Sequence, residues 1–372
     1  MRSFQRRSTL DPVPGDVVAV LRRIDFAAGA EARFADQLPQ LLGALRQQAR
    51  IESITASNAI EGVVVDDERV PRLVSGLDQR FRNRSEAEFA GYSAALDYLY
   101  QGDAGDLSVG LVLHLHRLLF SFTDGRGGYF KTEDNVVVDR HQDGTITTRF
   151  VPVSAHETPF FVEELASRAG AALERDEHHP LIVSAAFILD FLCIHPFSDG
   201  NGRVARLLTT YLLHRAGYGV GRYVSLEQLV FETKDDYYTA LEQSTYAWFD
   251  EGQHNIWPWT GYLLGRLDGA YERFTSRIAA GTSGGTKQDR IRDFVLLHAA
   301  PTFTIADIRR GVPGVGDSTI RIVLAELKKD GRIANDGTGR GATWRRIEER
   351  TAASVNHAGG EMVRRGPFGH QR

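Results

Sequence analysis

Apolar residues recur at helical spacing through most of the first 280 positions. Leu38, Leu41, Leu42 and Leu45 share one stripe, which predicts a helix from Ala30 to Arg50. Leu107 to Phe122, Glu157 to Leu173, Thr233 to Tyr246 and Trp248 to Leu267 read the same way, with Tyr237 on a core-facing stripe. His114 and His116 are expected at the surface of their helix or partly buried, not as ligands. Ser85 to Glu88 fits a capping box, opening a helix through Phe89, Tyr92 and Leu96 to about Tyr100. Leu181 to Ile194 is almost wholly apolar and predicts a buried helix, with Pro180 in its first turn and Cys193 as a small buried hydrophobe. Val204 to Ala216 resumes the helical period until Gly217 stops it. Residues 1 to about 30 read as a mostly irregular arm. Between Gly125 and Pro152 the period drops to two: Val136 to Val138, a turn at Asp143-Gly144, then Thr145 to Val151, a hairpin.

Past residue 278 the character changes again. Ala279 to Thr286 is small and flexible, the pattern of a linker. A helix from Lys287 to Ala299, a short strand and helix from Phe303 to Arg310, a helix from Ser318 to Lys329 capped at Asp317 or Ser318, and a hairpin from Gly331 to Arg346 with a turn at Gly337 to Gly341 follow. That order resembles a winged helix-turn-helix module. Residues 287–346 hold twelve lysines and arginines against seven acids, a net of +5, while the whole chain of 372 residues carries −4. The charge permits DNA as a partner of the 287–347 module, although such modules also pair proteins. Residues 348–372 lack apolar periodicity and are expected to form a disordered tail. An apolar fraction of 42% and a charged fraction of 25% are ordinary for a globular protein. With a single cysteine, no secretory h-region and no apolar run of about 18 residues, a cytoplasmic location without membrane contact is expected.

The segment that none of this explains is His195 to Arg206, HPFSDGNGRVAR, a polar loop between two apolar helices. Free backbone N–H groups of Gly200, Asn201 and Gly202 at a helix start form an anion site. Arg203 and Arg206, three apart, share a helix face and add charge to the same anion. Asp199 beside a phosphate site suggests a divalent metal such as Mg²⁺, and His195 supplies a base that titrates near neutrality. The set describes phosphoryl or nucleotidyl transfer onto a deprotonated hydroxyl.

This run resembles the signature of the Fic family at every specified position. The resemblance implies a mainly α protein: a Fic-type helical bundle with a small β-hairpin flap, here followed by the winged helix-turn-helix domain. The implied division is residues 1–110 as an N-terminal helical region, 111–278 as the catalytic core, 279–286 as the linker, 287–347 as the module and 348–372 as the tail. It further implies protein adenylyltransfer, with AMP passing from ATP to a Tyr, Ser or Thr hydroxyl of a target protein or of the chain itself. His195 would act as base, Asp199 as the Mg²⁺ ligand, and Gly200, Asn201, Gly202, Arg203, Arg206 and Tyr238 as nucleotide contacts. Phe197 is expected to pack inward and fix the loop. Ser57, Glu61 and Gly62 in the stretch SITASNAIEG, residues 53–62, match the family's inhibitory motif; Glu61 would pair with Arg206, or orient water for the reverse reaction. A homodimer is expected from the same resemblance. Lys131 stands where the family more often has arginine. The rival is a nucleotide-sensing transcription regulator with little transfer activity.

Overall fold

The computed structural model describes residues 2–5, 10–76, 80–102, 104–125, 127–140, 145–249, 253–282, 286–299, 302–312, 314–336 and 342–347. The 348–372 tail, both turns named above and linker positions 283–285 lie outside these residues. The protein is mainly helical, and its helices come in chain order with few strands.

After a short α1 (Arg2–Gln5), α2 spans Gly15–Gln37, where an irregular arm was expected. Val17, Leu21 and Ile24 fall at i, i+4 and i+7 and are buried, so apolar burial outweighs the nearby prolines and arginines. Pro39 ends α2, because the residue before a proline avoids helical backbone; Leu38 sits at φ −133°, ψ 50°. Helix α3 (Pro39–Ile60) then runs unbroken into the Ser57–Glu61 segment. Gly62, at φ +77°, closes it in the left-handed conformation that glycine adopts freely.

Helix α4 covers Val70–Val74 and α5 covers Arg84–Tyr100. The N-cap of α5 is Asn83, which accepts from Glu86 N, so Ser85 and Glu88 do not form the expected capping box. Helix α6 is Val109–Leu119, capped by Ser108. Strands β1 (Val137–Arg140) and β2 (Ile146–Phe150) pair antiparallel, with a bulge at Val137/Val138. Then follow α7 (Thr158–Arg175), α8 (Pro180–Ile194), α9 (Asn201–Arg215), α10 (Leu226–Glu232), α11 (Lys234–Thr245) and α12 (Trp257–Thr282). Helix α12 continues into the first half of the expected linker.

Helix α8 is the axis of the bundle: α7, α9 and α12 pack around it, and every residue from Leu181 to Ile194 is buried. Its one charge, Asp190, accepts from Trp248 Nε1, Ser3 N and Ser3 Oγ, and burial raises its carboxyl to about 6. The axis thus delivers His195, its C-cap, to a fixed point in the core.

A second apolar cluster, separate from the first, organises the C-terminal region: α13 (Lys287–Asp293), β3 (Thr302–Phe303), α14 (Ile305–Gly311), α15 (Asp317–Lys329), β4 (Ile333–Asp336) and β5 (Thr343–Arg346). The N-cap of α15 is Gly316, one residue before the expected cap. The strands form an antiparallel sheet in the order β3-β5-β4. Helix α14 packs against α3. Among the described residues, no helix is long and apolar enough to cross a membrane.

Candidate active site

His195 terminates α8 at φ +51°, an unusual backbone for a non-glycine residue, and its N–H donates to Phe191 O at 2.9 Å. The ring is buried. From there the chain turns back through Pro196 and Phe197. Asn201 locks the turn from both sides: its Oδ1 accepts from Phe197 N at 2.9 Å and its Nδ2 donates to Phe197 O at 2.7 Å. Phe197 is fully buried, as expected of a residue that fixes the loop. Gly200, at φ +81°, is the N-cap of α9, so the first N–H groups of that helix have no carbonyl of their own.

Arg206 lies one turn along α9 with its side chain 7% exposed. Its Nε donates to Ser57 Oγ at 2.8 Å, and its Nη2 donates to Ser57 O at 2.9 Å and to Glu61 Oε1 at 2.8 Å. Burial works to lower the Arg206 pKa, but the Glu61 carboxylate, with Tyr237 and Tyr92, reverses this and raises it. Nη1 is buried and has no partner. It stands 3.3 Å from the point a Cβ on Gly202 would take, and Glu61 Oε1 stands only 2.2 Å from that point. The carboxylate therefore rests on the glycine of the helix start.

Arg203 is placed differently. Its Nη1 donates to Glu88 Oε2 at 2.5 Å, while Nη2 reaches Asp199 Oδ1 only at 3.5 Å. Much of its charge is thus matched by a buried acid of α5. Asp199 is half-exposed, accepting Gly200 N on Oδ1 at 2.6 Å and Arg84 Nη2 on Oδ2 at 3.1 Å. No group of three or more metal-type ligands occurs among the described residues. One carboxylate beside an anion cradle nevertheless fits Mg²⁺, which takes one or two protein oxygens and leaves the rest to phosphate and water.

Tyr238 lies on α11 near the same opening, with the Arg149 guanidinium 5.0 Å from its ring centre. Tyr237 is buried beside it. Arg149 belongs to β2, so the hairpin reaches across to α11; Phe150 and Phe249 add a stacked pair at 5.7 Å.

Several residues that hold this arrangement were given no role by the sequence. Lys131 is buried: its N donates to Pro196 O at 2.9 Å, and its Nζ donates to Ile194 O at 3.3 Å and Asn135 Oδ1 at 2.9 Å. It brackets His195, and desolvation lowers its pKa to about 8. Asn135 Nδ2 donates to Phe197 O. His116 is buried, not at a helix surface, and stacks flat on Phe197 with ring centres 3.7 Å apart.

The geometry sets a glycine-capped helix start beside a buried histidine, and comparison with known proteins points to a class. Residues 106–213 match the Fic/DOC family. The protein adenylyltransferase Fic of Nematostella vectensis is 38% identical over 69 residues, which is 18% of this chain and 15% of that protein. The protein of the same name from Drosophila grimshawi is 30% identical over 134 residues, 35% of this chain and 26% of that one. The chain thus spans about a quarter or less of the length of these curated relatives. A Fic family protein of Desulfovibrio desulfuricans G20 shares the fold over 92% of this chain and 99% of its own, with a TM-score of 0.59 at 23% identity. Together these matches show a Fic/DOC-like segment at residues 106–213 and a fold shared with a Fic family protein.

Proposed function

We propose that the protein is a protein adenylyltransferase held in check by Glu61. The observation that carries this is Arg206: one nitrogen is bonded to Glu61, and another is buried, unpartnered and turned toward Gly202. A phosphate on the helix start would satisfy the free nitrogen, and the Glu61 carboxylate occupies the neighbouring space and repels it.

In this reading His195 accepts the proton of a target hydroxyl. The oxygen attacks the α-phosphorus of ATP, the bond to the β-phosphate oxygen breaks, and pyrophosphate leaves. Asn201 and Gly202 N–H groups hold the phosphates, and Arg206, once released, takes charge that develops on the leaving group. Arg203 holds the loop through Glu88 and Asp199. Magnesium held by Asp199 would offset phosphate charge. Tyr238 and Arg149 would border the base or ribose. The hairpin, flanked by exposed Val136 and Val151 and with Phe150 stacked on Phe249, would offer backbone to an extended target segment. Residues 287–347 are read as the winged helix-turn-helix module. The relatives from Nematostella vectensis and Drosophila grimshawi are named as adenylyltransferases, which does not favour the transcription-regulator alternative.

The test is intact-mass analysis after incubation with ATP and Mg²⁺. Glu61→Gly is expected to gain AMP where the parent chain gains little, and His195→Ala added to it should abolish the gain. Equal labelling with and without Glu61 would remove the inhibitory role; labelling without His195 would remove the base.

A further inference from the structure

His116 makes three directed contacts on one ring. Gly128 N donates to its Nδ1 at 2.8 Å, its Nε2 lies 3.2 Å from Asp199 O, and its face lies on Phe197 at an interplanar angle of 5°. A backbone N–H can only donate and a carbonyl can only accept, so both bonds select one tautomer, neutral with the proton on Nε2.

The bond to Asp199 O has a consequence for the next residue. In a trans peptide the carbonyl and the following N–H point in opposite directions. Holding Asp199 O toward α6 turns Gly200 N–H to the other side, where it meets the Asp199 carboxylate at 2.6 Å. Because the following residue is a glycine at φ +81°, this peptide could rotate at little backbone cost and put its carbonyl, a negative dipole, into the anion site.

We infer that His116 is a positioning residue of the nucleotide site, its Nε2–H fixing the Asp199–Gly200 peptide so that an N–H, and not a carbonyl, borders the phosphates. Its Nδ1 at the same time ties Gly128, at the entry to the hairpin, to the phosphate loop. The inference rests on the nucleotide-binding reading of the site.

The two nitrogens can be imitated separately. His116→Gln can keep a donor where Nε2 stands, and His116→Asn an acceptor where Nδ1 stands. Both are made in the Glu61→Gly protein, and ATP binding with Mg²⁺ is measured by calorimetry beside melting temperature. The Gln variant should bind within about threefold of its parent and the Asn variant about tenfold or more weaker, since a bond bearing on a charged ligand is at stake. Equal affinity in all three proteins would overturn the inference, as would an Asn variant rescued no better by Gln. Nitrogen NMR of the unsubstituted protein gives a second arm, independent of nucleotide. An Nδ1–H tautomer for His116 overturns the inference, while an Nε2–H tautomer supports it even if the Glu61→Gly parent binds no ATP; that last result would instead sink the proposed function.

Discussion

Gly202→Ala offers a sharp test of how Glu61 sits in the site. Gly202 is the second residue of α9, in helical backbone, so alanine itself is conformationally welcome and should add about 0.5–1 kcal/mol of stability. The obstacle is Glu61: its Oε1 lies 2.2 Å from the new Cβ, whereas carbon and oxygen need roughly 3.3 Å or more. The carboxylate must retreat by about 1 Å. A retreat of that size takes Oε1 from 2.8 Å to beyond hydrogen-bond reach of Arg206 Nη2, unless the guanidinium follows and leaves Ser57. Removing one partner of a buried pair costs about 3–5 kcal/mol; here the two bonds to Ser57 survive and Glu61 can swing toward solvent, so about 2–3 kcal/mol is the expected loss.

In a Glu61→Gly background that clash is absent and only the helix preference remains. The two effects have opposite sign, so a double-mutant cycle over the four proteins should give a coupling of about 2–4 kcal/mol. The assay is urea unfolding at pH 7. Gly202→Ala changing stability by the same amount in both backgrounds, within about 0.5 kcal/mol, would refute the contact.

Acid should weaken the fold in a way that His116 helps to set. Desolvation lowers its pKa from 6.5 to about 4. Folded, it therefore binds a proton less readily than unfolded, and its contribution, full above about pH 6.5, is lost as pH falls toward 4, by about 3 kcal/mol. His254 acts in the same direction. Glu86, lowered to about 2 by Arg69, adds a loss below pH 4.5. Asp190, raised to about 6, opposes these across pH 4 to 6. Unfolding measured from pH 7 to 4 should show a shallower slope in His116→Gln, and an unchanged slope would contradict the assigned protonation. Arg84 competes for Asp199 Oδ2 from an exposed position. Arg84→Ala should raise Mg²⁺ affinity of the nucleotide complex by no more than about fivefold, the worth of a surface ion pair; weaker Mg²⁺ binding by calorimetry would mean that Arg84 itself contacts the nucleotide.

What could be read from the chain was local. The apolar run before His195 and the Gly200-Asn201-Gly202 turn predict a buried helix delivering a residue to a helix start, and that is how α8 and α9 meet. Helix α2 was missed: Val17, Leu21 and Ile24 carry its helical spacing, but the prolines and arginines nearby led to the expectation of an irregular arm. Glu61 and Arg206 lie 145 positions apart, and only a family resemblance suggested that they pair. His116, Glu88 and Lys131 were beyond reach for a physical reason. Each gains its role from the face of α5, α6 or the hairpin that happens to meet the loop, and pairwise packing of helices is not encoded in the period of any one of them. A buried ion pair such as Glu88 with Arg203 looks, in sequence, like two surface charges.

The contacts around the loop differ in how easily they can be undone, and that difference bears on how a brake could work. Phe197, Asn201 and His116 are buried and bonded to one another or to the loop backbone, so loosening any of them opens the core. Ser57 is likewise buried, and it holds Arg206 through two bonds without help from Glu61. Glu61 alone sits past the last residue of α3, partly exposed, next to a glycine in left-handed backbone. Rotating the Glu61 side chain away from the site would withdraw its carboxylate while Ser57, still within α3, keeps the guanidinium in place. The anion site would then be exposed with its arginine already oriented, and the energy required is that of one ion pair, not of a domain movement.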